Sequence, residues 1–131
     1  MNAASQILVV SSDLESRRVL AAILQQEGLS LICASHVREG QQLLSQQDVS
    51  LVFCERRLAD GSYRDLLGAA SVRDRNIPVI VTSRLADWDE YLEASHHGAL
   101  DLIASPCRPV DVLSAIAQAK RPSQQHQTAL L

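Results

Sequence analysis

The sequence predicts an α/β fold in which parallel strands form one doubly wound sheet with helices on both faces. Five short apolar runs recur along the 131 residues, and most are rich in Val and Ile. Longer segments with helical spacing separate these runs. The runs lack apolar–polar alternation, which is typical of parallel strands that are buried on both faces and joined by right-handed crossovers. We therefore expect five β–α units in a single compact domain.

Each predicted strand is too short for a globular helix, and each interval between strands leaves room for one helix. In chain order the strands are predicted at 6–10 (QILVV), 29–33 (LSLIC), 50–54 (SLVFC), 78–82 (PVIVT) and 100–103 (LDLI).

Start and stop signals support the helices. Ser12 with Glu15 fits a capping box for the first helix, and Gly28 is placed to end it. Gly98 is placed to end the fourth helix, and Pro109 sits where the first turn of the fifth begins. Apolar residues with helical spacing are Leu20, Ile23 and Leu24 in the first helix and Val110, Leu113 and Ala117 in the last.

The composition limits the kinds of partner. A net charge of -3 leaves no basic excess for nucleic acid or a membrane surface. No apolar run approaches the roughly 18 residues that span a bilayer, and the N-terminal MNAASQ lacks the features of a signal peptide. We expect a cytoplasmic protein with one domain at 5–118 and a polar, disordered C-terminal tail at 119–131.

Three cysteines, Cys33, Cys54 and Cys107, are odd in number, widely spaced and set among apolar residues. This pattern does not indicate a disulfide framework or a zinc site. Buried reduced thiols are expected.

In doubly wound sheets, ligands bind beyond the carboxyl ends of the strands. The candidate functional residues are therefore Ser11 to Asp13 after the first strand, Glu55 after the third, Ser83 after the fourth and Ser105 after the fifth. Glu55 is the most unusual of these, because it ends an apolar strand and is followed directly by Arg56 and Arg57.

The order of elements and several local strings resemble the receiver domain of bacterial two-component response regulators over about residues 5 to 118. These strings are ILVV followed by a polar cluster and a helix with Arg17 and Arg18, then LADGS, IPVIVTS, EASHHGALDLI and SPCRP. The resemblance implies a flavodoxin-like (βα)5 receiver fold with strand order 2-1-3-4-5.

Phosphoryl transfer in that family uses two adjacent acids to hold Mg²⁺, an acceptor aspartate, a hydroxyl residue and a lysine. Carried over position by position, the acids map to Ser11 and Ser12, the acceptor to Glu55 and the lysine to Ser105, while the hydroxyl survives as Ser83. Neutral hydroxyls do not compensate the dehydration of Mg²⁺, so we expect metal binding to be lost. Asp13 is expected to serve the dipole of the first helix rather than a metal.

Glu55 carries its carboxylate one methylene farther from the backbone than aspartate, which lets it resemble a phosphorylated aspartate. Arg57 or Arg84 is expected to border the pocket as its counterion. The alternative for Glu55 and Arg57 is an ordinary solvated pair worth roughly 0 to 1 kcal/mol. Ser83 is expected to tether the loop beyond the fourth strand, and Ser105-Pro106 to keep the family's cis peptide for shape.

The fourth helix holds the only Trp and one of two Tyr residues, Trp88 and Tyr91. In receivers the face of helix four, strand five and helix five is the common contact surface. We expect Trp88, Tyr91 and Leu102 to contribute to a partner surface there. The alternative is a buried stripe of Trp88, Leu92 and Ser95. His96 and His97 favour contact with the helix C-terminus over a metal site.

We therefore expect a stand-alone atypical receiver that is not an enzyme, has no cofactor and binds a protein partner without phosphorylation. That partner is a histidine kinase, a downstream regulator or a second copy. Two alternatives stay open at this point. The domain is still phosphorylated by a histidine kinase, or the emptied pocket senses a small ligand.

Overall fold

The computed structural model describes residues 5–121, which form seven strands and six helices. In chain order the elements are β1 (Gln6–Val10), α1 (Leu14–Gln26), β2 (Leu31–Ala34), α2 (Val37–Gln46), β3 (Val49–Glu55), β4 (Arg57–Leu58), β5 (Gly61–Ser62), α3 (Tyr63–Leu67), α4 (Ala70–Arg75), β6 (Val79–Ser83), α5 (Trp88–His96), β7 (Asp101–Ala104) and α6 (Pro109–Ala119).

The main sheet contains five parallel strands in the order β2-β1-β3-β6-β7. Since β6 and β7 are the predicted fourth and fifth strands, this is the expected order 2-1-3-4-5, and the doubly wound α/β prediction is confirmed. The chain reverses its direction of progress across the sheet between β1 and β3, which places the switch point beside the end of the central strand β3.

Both faces of the sheet are buried, which explains why the strands do not alternate. One face, with Leu8, Val52 and Val81, packs against α2, α3, α4 and α5. The other face, with Val9 and Phe53, packs against α1 and α6. Phe53 on β3 is the largest of the fully buried side chains, with 1% of its surface exposed.

Two glycines end their helices as predicted. Gly28 follows α1 with φ +75°, and Gly98 follows α5 with φ +104°. After α1, the Gly28 and Leu29 amides donate to the carbonyls of Gln25 and Leu24, the paired pattern of a Schellman motif. This motif occupies Leu29, so β2 begins at Leu31 and not at 29. The predicted helix start at Pro109 is also confirmed.

The predicted capping box of Ser12 with Glu15 is wrong. Asp13 is the N-cap residue of α1, without a side-chain capping bond to the helix. The Ser12 hydroxyl instead donates to Glu55, 43 positions along the chain. The local pattern assigned this hydroxyl to the start of the helix, but it donates its hydrogen bond to a residue that is distant in sequence.

The segment between β3 and β6 departs from one β–α unit. It contains a two-stranded antiparallel hairpin, β4–β5, followed by two short helices in place of one. Gly68 ends α3, and Ala69 adopts an extended conformation before α4 begins. Glycine stabilises a helix interior poorly, so the break between α3 and α4 falls at the glycine, which favours a helix less than its neighbours do.

Cys54 and Cys107 are buried free thiols, as expected, and burial raises the pKa of Cys107 to about 11. The expectation was wrong for Cys33, which is exposed. Its strand, β2, lies at the edge of the sheet, so it has no neighbouring strand on one side.

At the C-terminal end, α6 extends to Ala119, the first residue of the predicted tail. The remainder of that prediction from 122 onward lies outside the described residues. Within residues 5–121, no helix combines the length and the apolar character needed to cross a membrane.

Asp60, in the LADGS turn, connects this turn to the start of α2 through two hydrogen bonds. One carboxylate oxygen accepts from the Val37 amide at 2.8 Å and the other from the Arg38 amide at 3.1 Å. Both amides belong to the first turn of α2, which has no cap from its own N-cap residue, His36. The bond from the Val37 amide and then that from Arg38 hold the pKa of Asp60 below its usual 3.8.

We expect Asp60 to make the fold sensitive to acid. A carboxylate with a lowered pKa in the folded state adds stability above its unfolded pKa, and this is lost as pH falls through the folded pKa. The additional loss of folding stability therefore begins as the pH falls to about 3.8, the pKa of the carboxyl in the unfolded chain, and continues below that pH. Urea unfolding at a series of acidic pH values should show a smaller acid dependence for Asp60→Asn than for the wild type. Asp74→Asn, which removes an exposed carboxylate of α4, should keep the wild-type dependence, and equal slopes in both variants would contradict this role.

Candidate functional site

The residues that follow four neighbouring strands meet at one edge of the sheet. Ser11 to Asp13 follow β1, Glu55 ends β3, Ser83 ends β6 and Ser105 follows β7. The strand registers bring these ends level, since Val10 pairs with Cys54 and Ser83 pairs with Ala104. The polar groups of this edge form three hydrogen-bonded clusters, centred on Glu55, Asp13 and Glu90.

The first cluster is Glu55 with Ser12. Glu55 Oε1 accepts from the backbone amide of Ser12 at 2.9 Å and from its hydroxyl at 3.0 Å. Glu55 is half-buried and Ser12 is exposed. Two donors from one residue on the β1–α1 loop therefore fix the carboxylate that ends the central strand.

The second cluster is centred on Asp13. Its Oδ2 accepts from the Ser16 hydroxyl at 2.5 Å and from Arg84 Nη2 at 3.0 Å. Ser105 donates to the same Ser16 hydroxyl at 3.0 Å. The Ser16 bond, assisted by the charge of Arg84, holds the pKa of Asp13 below its usual value, although desolvation opposes this. The cluster ties together α1, the loop after β6 and the loop after β7.

Neither arginine that was expected to pair with Glu55 does so in this structure. Arg84 reaches Asp13 on the β1–α1 loop. Arg57 lies in the β4 strand, where it pairs with Ser62, and its side chain is exposed. The counterion prediction is wrong for both residues, because the donors closest to Glu55 are those of Ser12.

Arg56, which was not one of the two arginines expected beside Glu55, contacts two acids of α5. Its guanidinium lies 3.4 Å from Glu90 Oε2 and 3.4 Å from Glu93 Oε1, both on α5. Arg56 Nε is buried and its contact with Glu90 is an ion pair without hydrogen-bond geometry. In the sequence, Glu90 and Glu93 are three positions apart and therefore lie on one face of the helix. This spacing was the feature of the sequence that indicated a basic partner.

Ser83 tethers the loop after β6 through Glu90. Its hydroxyl donates to Glu90 Oε1 at 2.5 Å, and the Ala86 amide donates to the same oxygen at 3.0 Å. The Ala86 amide also lies 3.4 Å from the Ser83 hydroxyl. This is the tethering role expected of Ser83. The Ser105-Pro106 peptide is cis, as also expected.

The aromatic residues of α5 lie at the surface. Trp88 is 68% exposed and stacks on the half-buried Tyr91 with a centroid distance of 5.3 Å. The alternative of a buried stripe at Trp88, Leu92 and Ser95 is therefore wrong, because all three are exposed and Ala94 faces the core. Leu102 was expected on the same surface but is buried, with 8% exposed, so that part of the prediction is also wrong.

The donor set at the sheet edge is a poor match for Mg²⁺. Ser11 and Ser12 offer neutral hydroxyls, and the carboxylates of Asp13 and Glu55 already accept hydrogen bonds from protein donors. Nowhere in residues 5–121 do three or more His, Cys, Asp or Glu side chains form a group that could hold a metal ion. Mg²⁺ usually requires carboxylate oxygens in octahedral geometry.

Known proteins resemble this chain in both sequence and structure. It is 28% identical over 113 residues to the alginate biosynthesis transcriptional regulatory protein AlgB of Pseudomonas aeruginosa, covering 86% of this chain and 25% of AlgB. It is 29% identical over 112 residues to the acid tolerance regulatory protein ActR of Rhizobium meliloti, covering 86% of this chain and 58% of ActR. The chain thus spans between a quarter and three fifths of these two curated relatives.

Solved structures show the same fold. A CheY-like receiver domain protein from Methanospirillum hungatei has a TM-score of 0.76 at 23% identity, covering 88% of this chain and 93% of that one. A response regulator from Chloroflexus aurantiacus has a TM-score of 0.79 at 17% identity, covering 92% and 100%. The sequence profile of the response regulator receiver domain matches residues 7–117. With the parallel sheet and the polar edge beside β3, this match places the chain in the response regulator receiver domain family of two-component signalling.

Proposed function

We propose that this receiver domain works as a protein-interaction module in signal transduction without aspartyl phosphorylation and without Mg²⁺. Glu55 stands at the position of the phosphoacceptor and supplies a permanent negative charge. The α5 surface, with Trp88 and Tyr91, contacts the partner, which is another protein of the signalling pathway.

The observation that carries this proposal is the pair of hydrogen bonds from Ser12 to Glu55. In the family's chemistry, acids near this position hold a metal that draws in a phosphoryl group. Here the same loop donates directly to the carboxylate, so the negative charge is stabilised by protein groups and needs neither metal nor phosphate.

The entrance to the pocket also supports the proposal. Arg84 extends from the loop after β6 to Asp13 on the loop after β1. The pair joins two loops that flank Glu55, and 79% of the Arg84 side chain is exposed. A phosphodonor approaching Glu55 between these loops meets a bulky guanidinium there.

The proposed contact surface is supported by large apolar side chains that are exposed on and just before α5. Packing of the fold does not require apolar side chains at these exposed positions. Trp88 and Leu92 are one helical turn apart on α5, and both are exposed. Leu85, just before α5, is 68% exposed. Aromatic residues with large exposed apolar area are frequent anchors of protein interfaces.

Amide NMR spectra test the proposal directly. Spectra are recorded for the protein alone, with Mg²⁺, and with Mg²⁺ plus beryllofluoride, which mimics an aspartyl phosphate. We expect the resonances of Ser12, Glu55, Ser83 and α5 to stay in place, because the pocket lacks the charge that binds the metal. The triple variant Ser11→Asp, Ser12→Asp and Glu55→Asp is the positive control, since it returns acids to the positions that the family uses.

Saturable shifts of the Ser12 and Glu55 amides in the wild type would refute the proposal and favour a domain that is still phosphorylated. Repeating the spectra with Glu55→Gln then shows whether the shifts depend on the carboxylate at this position.

A further inference from the structure

A second cleft lies near the end of β3, lined by residues of the β4–β5 hairpin, α3 and α5. Its volume is about 400 Å³, within the usual range for small-molecule sites. Its charged lining consists of three arginines, Arg56, Arg57 and Arg64, and two carboxylates, Asp65 and Glu93, and Tyr63 lies beside them. The Asp65 carboxylate is already engaged, because it accepts a hydrogen bond from the Ser62 amide at 2.9 Å. Three of the twelve basic residues of a chain with net charge -3 thus meet in one place.

Tyr63 is the unusual member of this lining. Only 2% of its surface is exposed, and its hydroxyl is buried without a hydrogen-bond partner. Buried phenol groups usually find a partner, since leaving one unsatisfied is costly. Desolvation, followed by the charge of Glu93, raises the pKa of Tyr63, so the hydroxyl keeps its proton and can donate.

The three arginines differ in how far they are already paired. Arg56 pairs with Glu90 and Glu93 at 3.4 Å and donates a hydrogen bond to Glu93 through Nη2, while its Nε makes no hydrogen bond. Arg57 and Arg64 are exposed and take part in no ion pair among residues 5–121. Guanidinium groups carry donors arranged for oxyanions, which they bind through two parallel hydrogen bonds.

We propose that this cleft binds the oxyanion group of a small molecule, a phosphate or a carboxylate, through Arg57 and Arg64, and that the Tyr63 hydroxyl, which is buried in this structure, donates to the anion once Glu93 has turned away. Glu93 lies at the rim with 46% of its side chain exposed, so it can turn to solvent when the anion takes its place beside Arg56. The inference is independent of the proposed function, because the cleft does not include Glu55 or Ser12.

NMR titration of the full chain with inorganic phosphate, and separately with citrate, tests the site. We expect saturable shifts at the amides of Ser62, Tyr63 and Arg64, with the amide of Ser12 unchanged. Arg64→Ala should weaken binding by on the order of tenfold, because a charged hydrogen-bond donor is lost. Tyr63→Phe should weaken it severalfold while keeping the ring in the core.

Arg75→Ala is the matched control, because it removes the same charge from α4, where Arg75 pairs with Asp48 and does not line the cleft. Its affinity should equal that of the wild type. A response to phosphate alone assigns the site to phosphates, and a response to citrate alone assigns it to carboxylates. No saturable shift with either anion, or equal affinity in Arg64→Ala, Tyr63→Phe and Arg75→Ala, would overturn the proposal.

Discussion

Replacing Phe53 with alanine is expected to lower the free energy of unfolding by about 3–5 kcal/mol. Phe53 lies on the central strand β3, pairs with Val9 on one side and Ile80 on the other, and is 1% exposed. Its ring fills the space between the sheet and the α1–α6 layer. Truncation of the ring leaves a cavity. Because β3 is paired with a strand on each side, the sheet cannot shift to close it. Urea unfolding followed by circular dichroism measures the loss.

Trp88→Ala is the matched control, because it also removes a large aromatic side chain. Trp88 is 68% exposed, and its main contact is the stack on Tyr91. We expect a loss of about 1 kcal/mol or less. A loss as large as that of Phe53→Ala would mean that Trp88 supports the core, and the proposed contact surface on α5 would then have to be abandoned.

The fold could be predicted from the sequence because burial on both faces of the sheet leaves a strong local pattern. The run 50–54 contains no charged residue, and it forms most of β3. Gly28 and Gly98 end their helices for a local reason, since each adopts a positive φ. Where tertiary contacts compete with a local pattern, the prediction failed. Ser12 illustrates this, because Glu55 takes its hydroxyl from the predicted capping box.

The polar partners at the candidate site were harder to predict. The positions of Ser11, Ser12, Glu55, Ser83 and Ser105 follow from the ends of strands, but the direction of a long side chain does not. Arg56 and Arg57 are adjacent, yet Arg56 contacts α5 while Arg57 is exposed on β4. The buried hydroxyl of Tyr63 leaves no sign in the sequence, because its lack of a partner depends on how the core packs around α3.

Glu90 connects the loop after the fourth predicted strand to the helix that carries Trp88. One carboxylate oxygen accepts from Ser83 and from the Ala86 amide, and the other lies beside Arg56. Arg56 directly follows Glu55, and its amide donates to the Thr82 carbonyl at 2.9 Å. The start of α5 is thus joined through one acid to the ends of β3 and β6. In this chain, that contact links the pocket edge to the proposed partner surface.

We expect Glu90→Ala to lower the free energy of unfolding by about 2 kcal/mol and to shift the amide resonances between Ser83 and Trp88. Three groups lose their acceptor or counterion at once, namely the Ser83 hydroxyl, the Ala86 amide and Arg56. Glu90→Gln keeps an acceptor oxygen and should cost about half as much. Glu93→Ala is the matched control, because Glu93 contacts the same arginine but its side chain is 46% exposed against 13% for Glu90. Urea unfolding and amide spectra of the three variants measure these effects. If Glu93→Ala and Glu90→Ala prove equally mild, Glu90 does not hold α5 in place, and the pocket edge has no link of this kind to the Trp88 surface.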